Sequence, residues 1–264
     1  MIISNITAIA QKELQSYFVS PFAYVMAAFF WFISGLFFVE ILIGKQGIIQ
    51  QVFSREQMGV SIGSVDVATE FLNSYLAILG TLSLLIIPIL SMGLYADEKK
   101  QGTLELLTTS PLSNWSVALG KLIAVTLLFV FLLLPSIFYQ AIAFSAAVPS
   151  LPLAIPLLAN VGLVLMAASL LSIGMFISSL TNSNILAAIL TFCIILISWT
   201  VDLIANNVEG WLGDNLKYIS MLDSYNNLVQ GVANISDFSA FFSYIFLGIF
   251  LTSQSIELFR SNIH

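Results

Sequence analysis

Charge is what this chain has least of. Its 264 residues include eight Lys and Arg and fourteen Asp and Glu, 8% in all, against about 25% in an average soluble domain. A water-soluble fold of this length needs a polar coat that so few charges cannot supply, whereas lipid meets apolar surface without penalty. Histidine is nearly absent: the single one is His264, the last residue, so neither a histidine metal site nor a Ser-His-Asp triad is available. The lone cysteine, Cys193, lies inside an apolar run and reads as a small core hydrophobe, with no disulfide or CxxC pair possible within the chain. A net charge of −6 argues against a nucleic-acid partner. A phosphate-binding loop is missing too. It requires G-x-x-x-x-G-K-[ST]; the Gly-Lys pairs are Gly44-Lys45 and Gly120-Lys121, with Val39 and Trp115 where the first glycine belongs and Gln46 and Leu122 where Ser or Thr belongs. No row of intramembrane acids or bases suggests a proton relay.

What remains is 59% hydrophobic residues, gathered in six runs long enough to cross a bilayer, at about 22–43, 72–95, 117–147, 154–180, 185–204 and 238–259. The expected fold is an all-α integral membrane protein, one transmembrane domain over 1–264. Before the first run, residues 2–18 place Ile3, Ile6, Ala10, Leu14 and Tyr17 at helical spacing, an amphipathic helix lying in the membrane surface. A signal peptide is the rival reading, but the first sufficient apolar run starts at Phe22, without a basic leader or cleavage site. Ser20 and Pro21 are a cap and first-turn proline for span one. Pro88 should bend span two. Lys121 is near enough to the surface to snorkel. The polar insert before span six, with Leu216, Ile219, Leu222, Leu228 and Val229 at helical spacing, predicts short external helices dipping into the outer leaflet.

Lys and Arg favour cytoplasmic loops. With both termini inside, Lys12, Lys99, Lys100, Lys121 and Arg260 lie on the inner face and Lys45, Arg55 and Lys217 on the outer, a modest bias toward that orientation.

Between spans two and three lies YADEKKQGTLELLTTSPLSNWSVALGK. Gly102 breaks the preceding helix, Thr103 can cap a new one, Leu104, Leu106 and Leu107 give it an apolar face, and Pro111 ends it. Three leucines on about two turns are too few to fold alone, so this helix needs a partner surface.

Four segments, KELQSYFVSPFAYV with SGLFF, the stretch just quoted, GMFISSLTNSNILAAILTF and YISMLDSYNNLVQGVANISDF, occur in an order that resembles the permease subunits of type-2 ATP-binding-cassette (ABC) exporters, including the branch associated with gliding motility. The resemblance implies that the 2–18 helix is an elbow helix, with Lys12, Glu13 and Leu14 sharing the ATPase contact. It also makes the segment between spans two and three a cytoplasmic coupling helix that docks on a separate ATPase through Glu98, Gly102, Thr103, Leu104, Glu105, Leu106 and Leu107, with Pro111 fixing the return to the membrane. The turn from Thr181 to Asn184 is either a second contact or a simple hairpin turn. ATP and magnesium would sit on the partner ATPase, in two copies, and no cofactor on this chain.

A second permease half, identical or related, and membrane lipid complete the expected partners, with an accessory envelope protein as a further one. The location implied is the inner (plasma) membrane. The path between halves would pass Phe29, Trp31, Phe32 and Glu40, though aromatics at such positions also face lipid and Glu40 also reads as an interfacial acid. Apolar walls suit a hydrophobic, amphipathic or lipid-linked substrate moved outward by alternating access. The alternative is a non-transporting anchor that transmits force from the ATPase to an envelope partner.

Overall fold

The computed structural model describes residues 2–57, 67–104, 113–145, 152–208, 210, 217 and 220–261, and every extended element among them is helical. In chain order these are α1 (Ile2–Val19), α2 (Pro21–Ile43), α3 (Ile48–Gln57), α4 (Val67–Ser91), α5 (Gly93–Gln101), α6 (Asn114–Ser145), α7 (Ala154–Leu180), α8 (Asn184–Asn207), α9 (Met221–Val229) and α10 (Ile235–Ser261). Six helical stretches are long and apolar enough to cross a membrane. They correspond to the six expected runs, with α4, α6, α8 and α10 starting earlier because the polar turns flanking the apolar runs continue the helix. Span two runs on through α5 to Gln101.

Local chemistry sets the ends. The Ser20 hydroxyl accepts from the Phe22 N–H at 3.3 Å with Pro21 in the first turn, as the sequence predicts. Gly102 ends α5 in the left-handed conformation, φ 72°, and its N–H reaches the Glu98 and Lys99 carbonyls. A side chain there would be strained, which is why glycine punctuates this helix.

The bundle is organised on α7, the most thoroughly buried of the spans, whereas α2 and α8 are the least covered. Between helices in lipid there is little hydrophobic drive, so close packing of small residues and hydrogen bonds to backbone must hold the bundle. α7 supplies both. Ser169 and Ser172 donate to the Phe241 and Tyr244 carbonyls of α10 at 3.1 Å each, and Ser255 of α10 donates back to the Ser179 carbonyl at 3.3 Å. Such bonds average about 0.6 kcal/mol each in membranes. They are possible because Gly248 brings α10 against α7: a Cβ at that position would lie 2.6 Å from the Ser172 backbone carbon. Farther along α7, Asn160 and Gln140 of α6 exchange amide hydrogen bonds at 2.8 and 3.3 Å.

Two short helices take definite places against the bundle. The α1 helix packs along the first half of α6, with Ile9 over Gly120, Phe18 edge-on to Phe131 at 5.1 Å, and Leu14 and Tyr17 joining the bundle core. The helix before span six is covered by the bundle along one face, while Leu216 and Ile219 lie outside the described residues. In α9, Met221, Tyr225, Leu228 and Val229 are all covered, and the Tyr225 hydroxyl donates to the Leu76 carbonyl of α4 at 2.8 Å. Gly80 and Gly162 make the seat: Cβ atoms there would meet Tyr225 at 3.0 Å and Leu228 at 2.9 Å. Ser220 caps α9, accepting from the Asp223 N–H and donating to buried Asp202.

Gly248→Ala is expected to destabilise the protein by about 1–3 kcal/mol, the usual cost of overpacking, because the Ser172 backbone carbon stands in the way along with the Ser172 side chain, so rotating the serine alone does not clear the space. Denaturation in detergent measures it, and adding Ser172→Gly should recover only part of the loss.

Candidate functional site

The α4–α5 break begins the site. Pro88 has no N–H to give, yet the helix passes through it; the interruption comes at Met92, whose own backbone stays helical (φ −57°, ψ −39°). There the Ser178 hydroxyl of α7 accepts from the Tyr95 and Ala96 N–H groups at 3.0 and 3.1 Å and donates to the Met92 carbonyl at 2.7 Å. A side chain inserted into the helical ladder bends the helix, and in lipid the freed backbone groups need such a partner. α5 carries Asp97 and Glu98 inward.

Glu98 meets a buried cation. The ammonium of Lys121, 2% exposed, lies 2.9 Å from Glu98 Oε1 and 2.9 Å from Glu13 Oε1 of α1, with the Tyr95 ring 5.1 Å beneath it. One charge thus joins α1, α5 and α6. Lys121 is not a snorkelling residue: the approach of α1 over Gly120 covers it. Beside it, burial pushes the Tyr17 phenol well above its ordinary pKa, and the Glu13, Glu98 and Asp97 carboxylates push the same way, so the ring stays neutral. Asp97 Oδ1 accepts from Asn184 Nδ2 at 2.6 Å, which ties the start of α8 to the same junction.

A cavity of about 880 Å³ opens beside these groups, polar at Glu13, Asp97, Glu98 and Asn184 and apolar at Met26 and Leu128. Among the described residues no cluster of three or more His, Cys, Asp or Glu is arranged to hold a metal ion.

The predicted residues divide between inside and outside. Lys12 is exposed, Glu13 and Leu14 are half-buried, and Glu98 turns into the junction. Gly102 and Thr103 form the exposed end of α5, where the Thr103 hydroxyl and N–H both donate to the Glu98 carbonyl. Leu104 is 1% exposed and belongs to the core of its own chain; it can anchor the following segment but its side chain is not on offer to a partner. Glu105, Leu106, Leu107 and Pro111 lie outside the described residues. Phe29 and Phe32 are exposed on α2, whereas Trp31 is turned to α6, its indole N–H donating to the Leu132 carbonyl at 3.1 Å. Glu40 is exposed at the end of α2, where its carboxylate folds against Gly44.

Sequence reasoning missed Ser178, the Asn184–Asp97 tie and the partners of Lys121. A lysine directly after a glycine opposite an amphipathic helix bearing Glu13 was the one available signal.

Six apolar spans around a charged junction at one membrane face define a polytopic membrane protein whose interfacial elements are coupled to its first two spans. A family model described as ABC-2 family transporter protein matches residues 7–258, and the chain belongs to that family. It is a transmembrane subunit of an ABC transporter, and membership implies a separate ABC ATPase subunit as partner. No curated protein matches the chain.

Lys121→Met should leave two part-buried carboxylates facing each other without a counter-charge. Breaking a buried pair costs about 3–5 kcal/mol; because Glu13 and Glu98 keep 17% and 21% exposure, the lower end is expected. Thermal denaturation should show Glu13→Gln costing distinctly less, since Lys121 then retains Glu98.

Proposed function

We propose that this chain is the membrane half of an ATP-driven exporter in the inner (plasma) membrane, with both termini and the α1 face in the cytoplasm, moving a hydrophobic, amphipathic or lipid-linked substrate outward. Two copies of the ATPase, holding ATP and magnesium, act on two permease halves. Supporting this reading is one observation above the others: buried Leu104, which belongs to the core, follows an α5 that is tied to α1 and α6 through Lys121. A partner docked on the sequence that follows Leu104 would act on α5 directly. Displacement of α5 is then shared with α1 and α6 through Lys121, and α1 leads through Ser20 directly into α2. Spans one and two therefore move when the ATPases close.

The docking contact falls to Leu106 and Leu107, with Glu105 suited to basic residues on the rim of the ATPase groove. Gly102, Thr103, Leu104 and Pro111 set the direction of the segment, and Lys12 is the exposed charge of α1 available to the same partner. Phe29 and Phe32, exposed on the thinly covered α2, suit the wall of a path shared with the second half, and Glu40 its outer mouth.

Leu107→Asp is expected to lower ATPase co-purification in detergent at least about tenfold, the loss of one interface hot spot, with permease melting unchanged. Leu104→Asp should lower melting as well. Reconstituted with its ATPase, the chain should move an amphipathic substrate in an ATP-dependent way; ATP turnover with no transported species would favour a force-transmitting anchor instead.

A further inference from the structure

We propose that the groove where α6 begins and α10 ends seats one phospholipid of the surrounding bilayer, held by the phosphodiester of its headgroup. The sequence sets out a single stripe along α10. Phe246, Phe250, Ser253, Glu257 and Arg260 recur at spacings of four and three residues, which puts them on one face of the helix, apolar toward the middle of the span and polar at its end. Trp115, in the first turn of α6, stands beside the apolar part: its ring lies 5.8 Å from that of Phe246 and 6.2 Å from that of Phe250. All three rings are exposed, and exposed rings at the end of a span are where bilayer lipid meets protein.

The polar part is a groove of about 500 Å³, lined by Asn114, Trp115, Ser253, Glu257 and Arg260, within the range of small-molecule sites. It offers mostly donors that nothing accepts. Ser253 is 2% exposed, yet its hydroxyl has no hydrogen-bond partner among the described residues. Unlike the unpaired hydroxyls sealed inside the bundle at Ser136 and Thr191, it opens on the groove. At the start of α6 the Ser116 and Val117 N–H groups are met by the Ser113 hydroxyl and carbonyl, at 3.2 Å each, which leaves those of Asn114 and Trp115 as the open donors of a helix N-terminus. The Arg260 guanidinium is exposed and forms no ion pair among the described residues, not even with Glu257 one turn before it.

These groups select an anion and limit its charge. Phosphate oxygens accept from a guanidinium in bidentate fashion and from hydroxyl and backbone N–H groups besides. Glu257 sets the limit: beside a carboxylate, one guanidinium and one helix terminus balance the single charge of a phosphodiester and not the second charge of a phosphomonoester. A free inorganic anion, or an acidic side chain of the ATPase, would meet the donors and leave the rings unused. A phospholipid uses both, with its chains along Phe246, Phe250 and Trp115 and its phosphate at Arg260. On the proposed orientation it belongs to the inner leaflet. It is a lipid bound at the perimeter of the bundle and not cargo, so the inference stands apart from the export reading.

The test exposes the full chain with its ATPase, in a non-ionic detergent, to two dilute probes carrying the same diazirine-bearing acyl chain: phosphatidylcholine, and diacylglycerol, which lacks the phosphate. Mass spectrometry maps the labels, with the exposed face of α8 as the reference for unspecific contact. Phosphatidylcholine should label Trp115, Phe246 and Phe250 at least about tenfold over diacylglycerol, the share of one charge-assisted hydrogen bond, with no such preference on α8. Arg260→Gln, at an exposed position, should leave melting unchanged and erase most of that preference. Ser253→Ala should lower it about fivefold, as one neutral hydrogen bond implies. Unlabelled phosphatidylglycerol, a phosphodiester, should displace the probe better than phosphatidic acid, a phosphomonoester, and Glu257→Gln should narrow that gap. Equal labelling by the two probes, a preference unmoved by Arg260→Gln, or displacement of the probe by inorganic phosphate overturns the proposal. So does release of the ATPase by Arg260→Gln with the labelling preference intact, which gives the guanidinium to the protein partner.

Discussion

One ammonium group, that of Lys121, holds three separate elements in one arrangement. Removing an ion from water costs several kcal/mol, and a buried salt bridge often returns no more than that cost. The cluster is therefore poor at explaining stability and good at explaining uniqueness. Any arrangement in which α1, α5 or α6 slips would leave a carboxylate or the ammonium without its counter-charge in a low-dielectric setting, a penalty much larger than the loss of an apolar contact. α1 and α5 consequently behave as one body with the start of α6, and α7 joins them through the three hydrogen bonds of Ser178.

That body also takes in the broken second span. At the Met92 interruption a single hydroxyl, that of Ser178, meets the Tyr95 and Ala96 N–H groups and the Met92 carbonyl. Gly174 is part of the same solution. A Cβ on it would overlap Ser91 at 2.6 Å or less, so α7 approaches closely enough for Ser178, one turn later, to reach the break.

Sequence carried the spans and their punctuation. Runs of apolar residues, the Ser20-Pro21 start and the Gly102 stop each act within a few residues, and each appears in the structure where local chemistry puts it. The junction was not legible, because Lys121 meets Glu13 across 108 positions and Glu98 across 23, and Ser178 meets Tyr95 across 83. Periodicity is blind to such pairings. The glycines were equally silent. Gly80, Gly162 and Gly248 lie inside helices, where glycine alone says only that something approaches; that Tyr225, Leu228 and the Ser172 backbone are what approaches required the packed bundle. Leu104 shows the converse error. Its place in a leucine face pointed to a partner, and its own chain proved to be the partner.

The two faces of the membrane are built on opposite principles. On the outer side as proposed, α9 is locked by fit: Tyr225 and Leu228 sit in glycine-made recesses, and Asp202 and Asp237 are covered and hydrogen-bonded to Ser220 and Asn227. Burial and the neighbouring Asp202 and Asp237 charges raise the pKa of Asp223, with Lys217 opposing, so added negative charge is poorly tolerated there. The α1 face instead keeps a large cavity next to its charges. Close-packed cores resist continuous deformation, so on the proposed reading displacement arriving along α5 would be taken up where there is room, around that cavity.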